Sequence, residues 1–108
     1  MARGADIDIS ELEARLNDGA RLIDVREVDE YTSGHVPGAE NWPLSELSDK
    51  FSALGSGEDL LVICQSGGRS SRACDFLDGQ GHSVLNVSGG TMAWVMSGRD
   101  VVVGVDPK

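Results

Sequence analysis

The stretch Leu61-Val62-Ile63-Cys64-Gln65-Ser66-Gly67-Gly68-Arg69-Ser70-Ser71-Arg72 holds the residue types best suited to chemistry. Three apolar residues lead into a cysteine, small and polar residues follow, and an arginine and two serines come next. That order predicts a buried strand, a tight loop and a helix, with Cys64 at the turn. Such a loop aims several backbone N–H groups at one point, at the positive end of the helix macrodipole. A thiol there ionises easily, and the thiolate is the nucleophilic form. Cys64 is therefore the candidate covalent catalyst. Gln65, Ser66, Gly67, Gly68, Arg69 and Ser70 form the candidate anion cradle around it. Gly67 and Gly68 let the backbone turn inward without side-chain clashes. Arg69 carries a planar fork that either binds an anion or braces the loop.

The elements that must position this loop can be read on either side of it. Asp6 to Ile9 reads as a short strand. Ser10 with Glu13 reads as a capping box opening a helix that buries Leu12 and Leu16 and stops at Asn17-Asp18-Gly19. Arg21 to Val25 is the next strand, with Asp24 near its carboxyl end. Glu27 or Asp29 opens a short helix ending at Gly34, and Ala39 to Trp42 is a brief strand. Pro43 starts a helix running to about Leu54, with Leu44, Leu47, Phe51 and Leu54 on one face. Gly55-Ser56-Gly57 breaks the chain, and Asp59 to Ile63 is the most apolar and so the most central strand. A helix from Ser70 to about Gln80 buries Ala73, Cys74 and Leu77; a strand over Ser83 to Val87, a Gly89-Gly90 turn and a helix from Thr91 to Ser97 follow. The tail to Lys108 forms either a small extra strand at Val101-Val102-Val103 or packed coil. Strand and helix alternate about five times, which predicts an α/β fold: one five-stranded parallel sheet with helices on both faces. In such sheets ligands sit beyond the carboxyl ends of the strands, where Cys64 and Asp24 both fall.

The composition narrows the class. A chain of 108 residues with 40% hydrophobic and 25% charged residues suits one ordinary globular domain. The expected core runs from about residue 9 to 98, with a short tail over 99–108. The formal net charge of −9 argues against nucleic acid as a partner and repels small anions at long range. Local charge, from Arg69 and Arg72, would have to win an anionic substrate. Two cysteines, Cys64 and Cys74, make neither a disulfide framework nor a zinc site. No apolar run is long enough for a membrane span, and the N-terminus has no signal-peptide core. A reducing cytoplasm is the expected compartment.

Three separated motifs carry a family resemblance. Leu22-Ile23-Asp24-Val25-Arg26-Glu27, followed by Glu30-Tyr31 and Gly34-His35-Val36-Pro37-Gly38-Ala39, is one; Cys64-x-x-Gly67-x-Arg69 is the second; Gly89-Gly90-x-x-x-Trp94 is the third. In this order and spacing the chain resembles the rhodanese homology family from about Ile9 to Gly98. The resemblance implies a five-stranded parallel α/β domain and sulfurtransferase chemistry. A sulfane sulfur from thiosulfate, a polysulfide or a persulfide would pass to Cys64 as a persulfide, then to a thiophilic acceptor such as cyanide or a thiol. No metal or organic cofactor is implied. The expected partners are small sulfur-containing anions or thiols, with a sulfur-donating or sulfur-accepting protein as a further possibility. One departure stands out: thiosulfate-active members often carry a basic residue after the cysteine, and here it is Gln65.

Competing readings bear on several of these residues. Dual-specificity phosphatases of related fold have a loop one residue longer, with arginine seventh; here arginine is sixth and Ser70 takes the seventh place. That places a phosphatase or arsenate reductase below a sulfurtransferase, and a non-catalytic, regulatory binding module is the other alternative. Asp24 and Arg26 read as supporting residues, Asp24 accepting hydrogen bonds from the neighbouring loop and Arg26 pairing with an acid such as Glu30. Cys74 reads as core packing. His35 reads as turn packing rather than a general base, and Trp42 and Trp94 as core or rim. Arg72 is either a solvated residue or an extension of the local positive field.

Overall fold

The computed structural model describes residues 6–55 and 58–108. Met1 to Ala5 and the Ser56-Gly57 part of the expected chain break lie outside the described residues. The elements run α1 (Ile9–Asn17), β1 (Arg21–Asp24), α2 (Val28–Ser33), β2 (Glu40–Asn41), α3 (Leu44–Lys50), a 3₁₀ turn (Phe51–Leu54), β3 (Leu60–Ile63), α4 (Gly68–Gly79), β4 (Val84–Asn86) and α5 (Gly90–Met96). The strands form one parallel sheet in the order β2-β1-β3-β4.

The sheet has four strands rather than the five expected. Asp6 to Ile9 contributes only a single parallel bridge, Ile7 to Val87. The reason lies in Asp8. Its carboxylate accepts the Glu11 N–H at 2.9 Å and caps a helix that begins at Ile9. The expected cap at Ser10 is therefore two residues too late, and the helix consumes the chain before a ladder can form. Glu13 does not reach back to the cap; its carboxylate meets Arg99 at 3.2 Å.

Side chains on a strand alternate between the two faces, and here both faces are buried. Ile23, Leu60 and Val62 pack on Leu47, Leu54, Ala73 and Leu77 from α3, the 3₁₀ turn and α4. Leu22, Leu61 and Ile63 pack on Leu12, Tyr31 and Trp94 from α1, α2 and α5. The all-apolar Leu60–Ile63 is buried at every position because helices cover it from both sides. Fully burying one such side chain contributes roughly 1.5–3 kcal/mol before entropy is counted.

The expected helix from Leu44 to Leu54 tightens into a 3₁₀ turn after Lys50. The tail packs as coil with one antiparallel bridge, Val102 to His35. No described helix is long and apolar enough to cross a membrane.

The register fixes where the chemistry lies. Asp24 is paired with Ile63, and the Val25 N–H donates to the Ile63 carbonyl at 2.9 Å. The chain leaves β1 and β3 side by side, so Asp24 and Cys64 emerge at adjacent carboxyl ends of neighbouring strands.

Candidate active site

Cys64 follows the last residue of β3, and its side chain lies at the floor of the 64–69 loop, 1% exposed. Its Sγ accepts the Gly67 N–H at 3.1 Å and lies 3.3 Å from the Ser70 hydroxyl. Burial pushes the thiol up. The Ser70 hydroxyl and the N–H groups of Ser70, Gly67 and Ser66 oppose that and win, so the thiol sits below its ordinary value. The side chain belongs to the buried cluster that also holds Ile23, Val25 and Ala73, and the Gly67 N–H and Ser70 hydroxyl are the groups at hydrogen-bond distance of its sulfur.

The loop can take this shape because of two glycines. Gly67 has φ +106°, and a Cβ there would lie 2.4 Å from the Ser88 carbonyl oxygen. Gly67 also caps α4, so the helix begins at Gly68, two residues before the expected start. Ser70 is thereby buried in the first turn, pointing at the sulfur instead of serving as the cap. Gly90 has φ +65°, and a Cβ there would lie 2.4 Å from the Gln65 carbonyl oxygen. That close approach lets α5 grip the loop from behind. The Thr91 N–H and hydroxyl both donate to the Cys64 carbonyl, at 2.9 and 3.0 Å, and the Met92 N–H donates to the Gln65 carbonyl at 3.0 Å.

The two arginines of the site are both paired. Arg69 meets Glu30 through two bonds, Nη1 to Oε1 at 2.6 Å and Nη2 to Oε2 at 2.8 Å. Arg69 holds the Glu30 carboxyl down at about 2. Arg26 lies 2.9 Å from Asp24, with both side chains almost wholly buried. Its guanidinium also donates to the Gly34 carbonyl at 2.8 Å and to Gln65 Oε1 at 3.3 Å.

The family model of the rhodanese-like domain matches residues 8–97. The chain belongs to this family. The rhodanese-like domain is 35% identical over 100 residues to a protein of Allochromatium vinosum named sulfurtransferase, covering 90% of this chain and 94% of that one. It is 33% identical over 84 residues to the thiosulfate sulfurtransferase GlpE of Pseudomonas putida, covering 77% of this chain and 76% of that one. It superposes on a rhodanese-related protein of Thermoplasma volcanium with a TM-score of 0.86 at 31% identity, covering 95% of this chain and all of the other.

Among the expected supporting residues of the rhodanese-like domain, Arg26 pairs with Asp24 and not with Glu30. Residues two apart on an extended segment point the same way, and Glu30 is already taken by Arg69. The Asp24 carboxylate accepts from the Arg26 N–H and guanidinium, so its link to the loop runs through Arg26 to Gln65. Cys74 is buried in the core against the face of the sheet packed by α3 and α4, and Cys64 and Cys74 form no disulfide. His35 is buried, stacked on Tyr31, with its ring nitrogens 2.9 Å from the Tyr31 and Asp106 carbonyl oxygens. It anchors the tail against α2. Trp94 is 5% exposed and donates its indole N–H to the Asp100 carbonyl at 2.7 Å. Arg72 is exposed on α4.

One residue of the site escapes the sequence motifs. Asn86 ends β4 buried, its amide NH₂ donating to Asp6 at 3.2 Å and to the Gly67 carbonyl at 3.4 Å, while its Oδ1 lies against the Ser70 hydroxyl, whose one proton is shared between this oxygen and the sulfur. It therefore holds both groups that bond the sulfur. A single amide in an otherwise apolar strand was the available signal.

Proposed function

We propose that the rhodanese-like domain is a sulfurtransferase that carries sulfane sulfur as a persulfide on Cys64. The Cys64 thiolate attacks the outer sulfur of the donor, a new S–S bond forms, and the bond from that sulfur to the rest of the donor breaks. With thiosulfate the charges balance as Cys–S⁻ + S–SO₃²⁻ → Cys–S–S⁻ + SO₃²⁻. A thiophilic acceptor then takes the outer sulfur and restores the thiolate. Two successive displacements give ping-pong kinetics.

One observation carries this reading: the Cys64 sulfur is ringed by the Gly67 N–H and the Ser70 hydroxyl at hydrogen-bond distance. The same donors that hold a thiolate would hold the persulfide anion. Gln65, Ser66, Gly67, Gly68 and Ser70 are the cradle, and Arg69 acts by bracing it through Glu30. Asp24 and Arg26 support the loop from β1. The sulfurtransferase names of the relatives in Allochromatium vinosum and Pseudomonas putida agree with the reading.

Steady-state kinetics with a sulfane donor and cyanide test it. Parallel lines in double-reciprocal plots, and loss of turnover in Cys64→Ser with the fold intact, are expected. Turnover retained in Cys64→Ser would overturn the mechanism.

A further inference from the structure

Beside the loop lies a cleft of about 350 Å³. Gln65 and Arg26 form its end nearest the loop, and Met92, Val95, Met96 and Val101 supply its apolar wall. This wall is open: Val95 is 51% and Met96 79% exposed. The volume is of the size that holds a small molecule.

The charge around the cleft argues for what that molecule is. Arg26, the cationic residue lining the cleft, is already paired with Asp24, and Arg69 is held by both prongs of Glu30. Arg72 does not line the cleft. Residue 65 is a neutral glutamine, and the chain carries a net charge of −9. Among the described residues that line the cleft, a compact dianion therefore finds no positive charge free of a carboxylate partner. An aliphatic group finds four apolar side chains, two of them methionines whose unbranched stems adapt to different shapes.

We propose that this cleft seats the aliphatic body of a small organic thiol, which makes alkyl thiols and alkyl persulfides better exchange partners of Cys64 than inorganic sulfur anions. The proposal rests on the persulfide reading of Cys64. The exchange balances as Cys–S–S⁻ + R–S⁻ → Cys–S⁻ + R–S–S⁻: the thiolate of the acceptor bonds to the outer sulfur, the Cys64 S–S bond breaks, and no net oxidation occurs. Run backwards, the same step loads Cys64 from R–S–S⁻. In both directions R occupies the cleft while the transferred sulfur sits in the loop.

The test loads the protein with inorganic polysulfide, verifies the added sulfur by mass, and measures transfer to ethanethiol, butanethiol and hexanethiol. These thiols share nearly the same nucleophilicity and differ in apolar length. Removing a methylene from water favours binding enough to raise kcat/KM about two- to fourfold per added CH₂. The ratio of kcat/KM for hexanethiol to that for cyanide should fall in Met96→Glu and in Met92→Gln. Met96 is so exposed that its substitution leaves packing untouched. A flat chain-length series, or a ratio unchanged in both variants, would overturn the cleft assignment while leaving the persulfide in place. Where inorganic polysulfide loads poorly, an alkyl persulfide does the loading, and failure with both donors would overturn both readings.

Discussion

Arg69 and Glu30 face each other across the mouth of the loop, fork to carboxylate, with N···O distances of 2.6 and 2.8 Å. The pair joins the first turn of α4 to α2, 39 residues earlier in the chain. Through it the sixth loop residue is tied to α2.

The pairing has a pH signature. Arg69 holds the Glu30 carboxyl at about 2, against an ordinary 4.5. A depressed carboxyl contributes its full stability above the ordinary value, and the contribution is lost as pH falls from there toward the folded value. Glu30→Gln should therefore cost stability at pH 7, and the gap to the parent should close between about pH 4.5 and 2. Both partners are about one-third exposed, so the loss at pH 7 is modest, on the order of 1 kcal/mol. Urea unfolding at several pH values reads it. A gap that stays constant across that window would show that the pair contributes nothing.

Ser70 should control the ionisation of Cys64. Removing its hydroxyl takes away one donor to the sulfur while burial, which pushes the thiol up, remains. Ser70→Ala should move the pH profile of Cys64 alkylation upward. Below the midpoint, the rate should fall roughly tenfold, the equivalent of about 1.4 kcal/mol for a hydrogen bond to a charged group. An unchanged profile would mean that the backbone N–H groups alone set the thiol.

The two neighbouring loop glycines should respond in opposite ways. Gly67→Ala forces a side chain into a positive φ and against the Ser88 carbonyl, and a loss of 1–3 kcal/mol or more is expected, on the order of a strained backbone. Gly68 begins α4 with nothing within 4 Å of its Cβ position, so Gly68→Ala should keep Tm or raise it slightly. Thermal unfolding of the two variants decides the matter. Equal losses would contradict the loop geometry.

The sequence made some of this legible and hid the rest for identifiable reasons. An unbroken apolar run ending in Cys64 reads as a central strand feeding a loop, and of the two acids offered as the start of α2, Glu27 and Asp29, Glu27 is the cap. The N-terminal edge was ambiguous because Asp8 and Ser10 are both good caps, and the nearer one to the sheet erased the fifth strand. An acid such as Glu30 was the expected partner of Arg26, but Arg26 precedes α2 on extended chain, where Asp24 is the neighbour. Asn86 carries no local signal beyond its polarity; only the folding of β4 beside α4 brings it to Ser70. The cleft wall is likewise built from α5 and the tail, and no single stretch of sequence encodes it.

The most direct measurement is peptide-resolved mass spectrometry of the protein after treatment with a sulfane donor at neutral pH and trapping of persulfides. One added sulfur atom is expected, on the peptide carrying Cys64 and removable by cyanide. Sulfur found on Cys74 instead, or on neither cysteine with any donor, would contradict it.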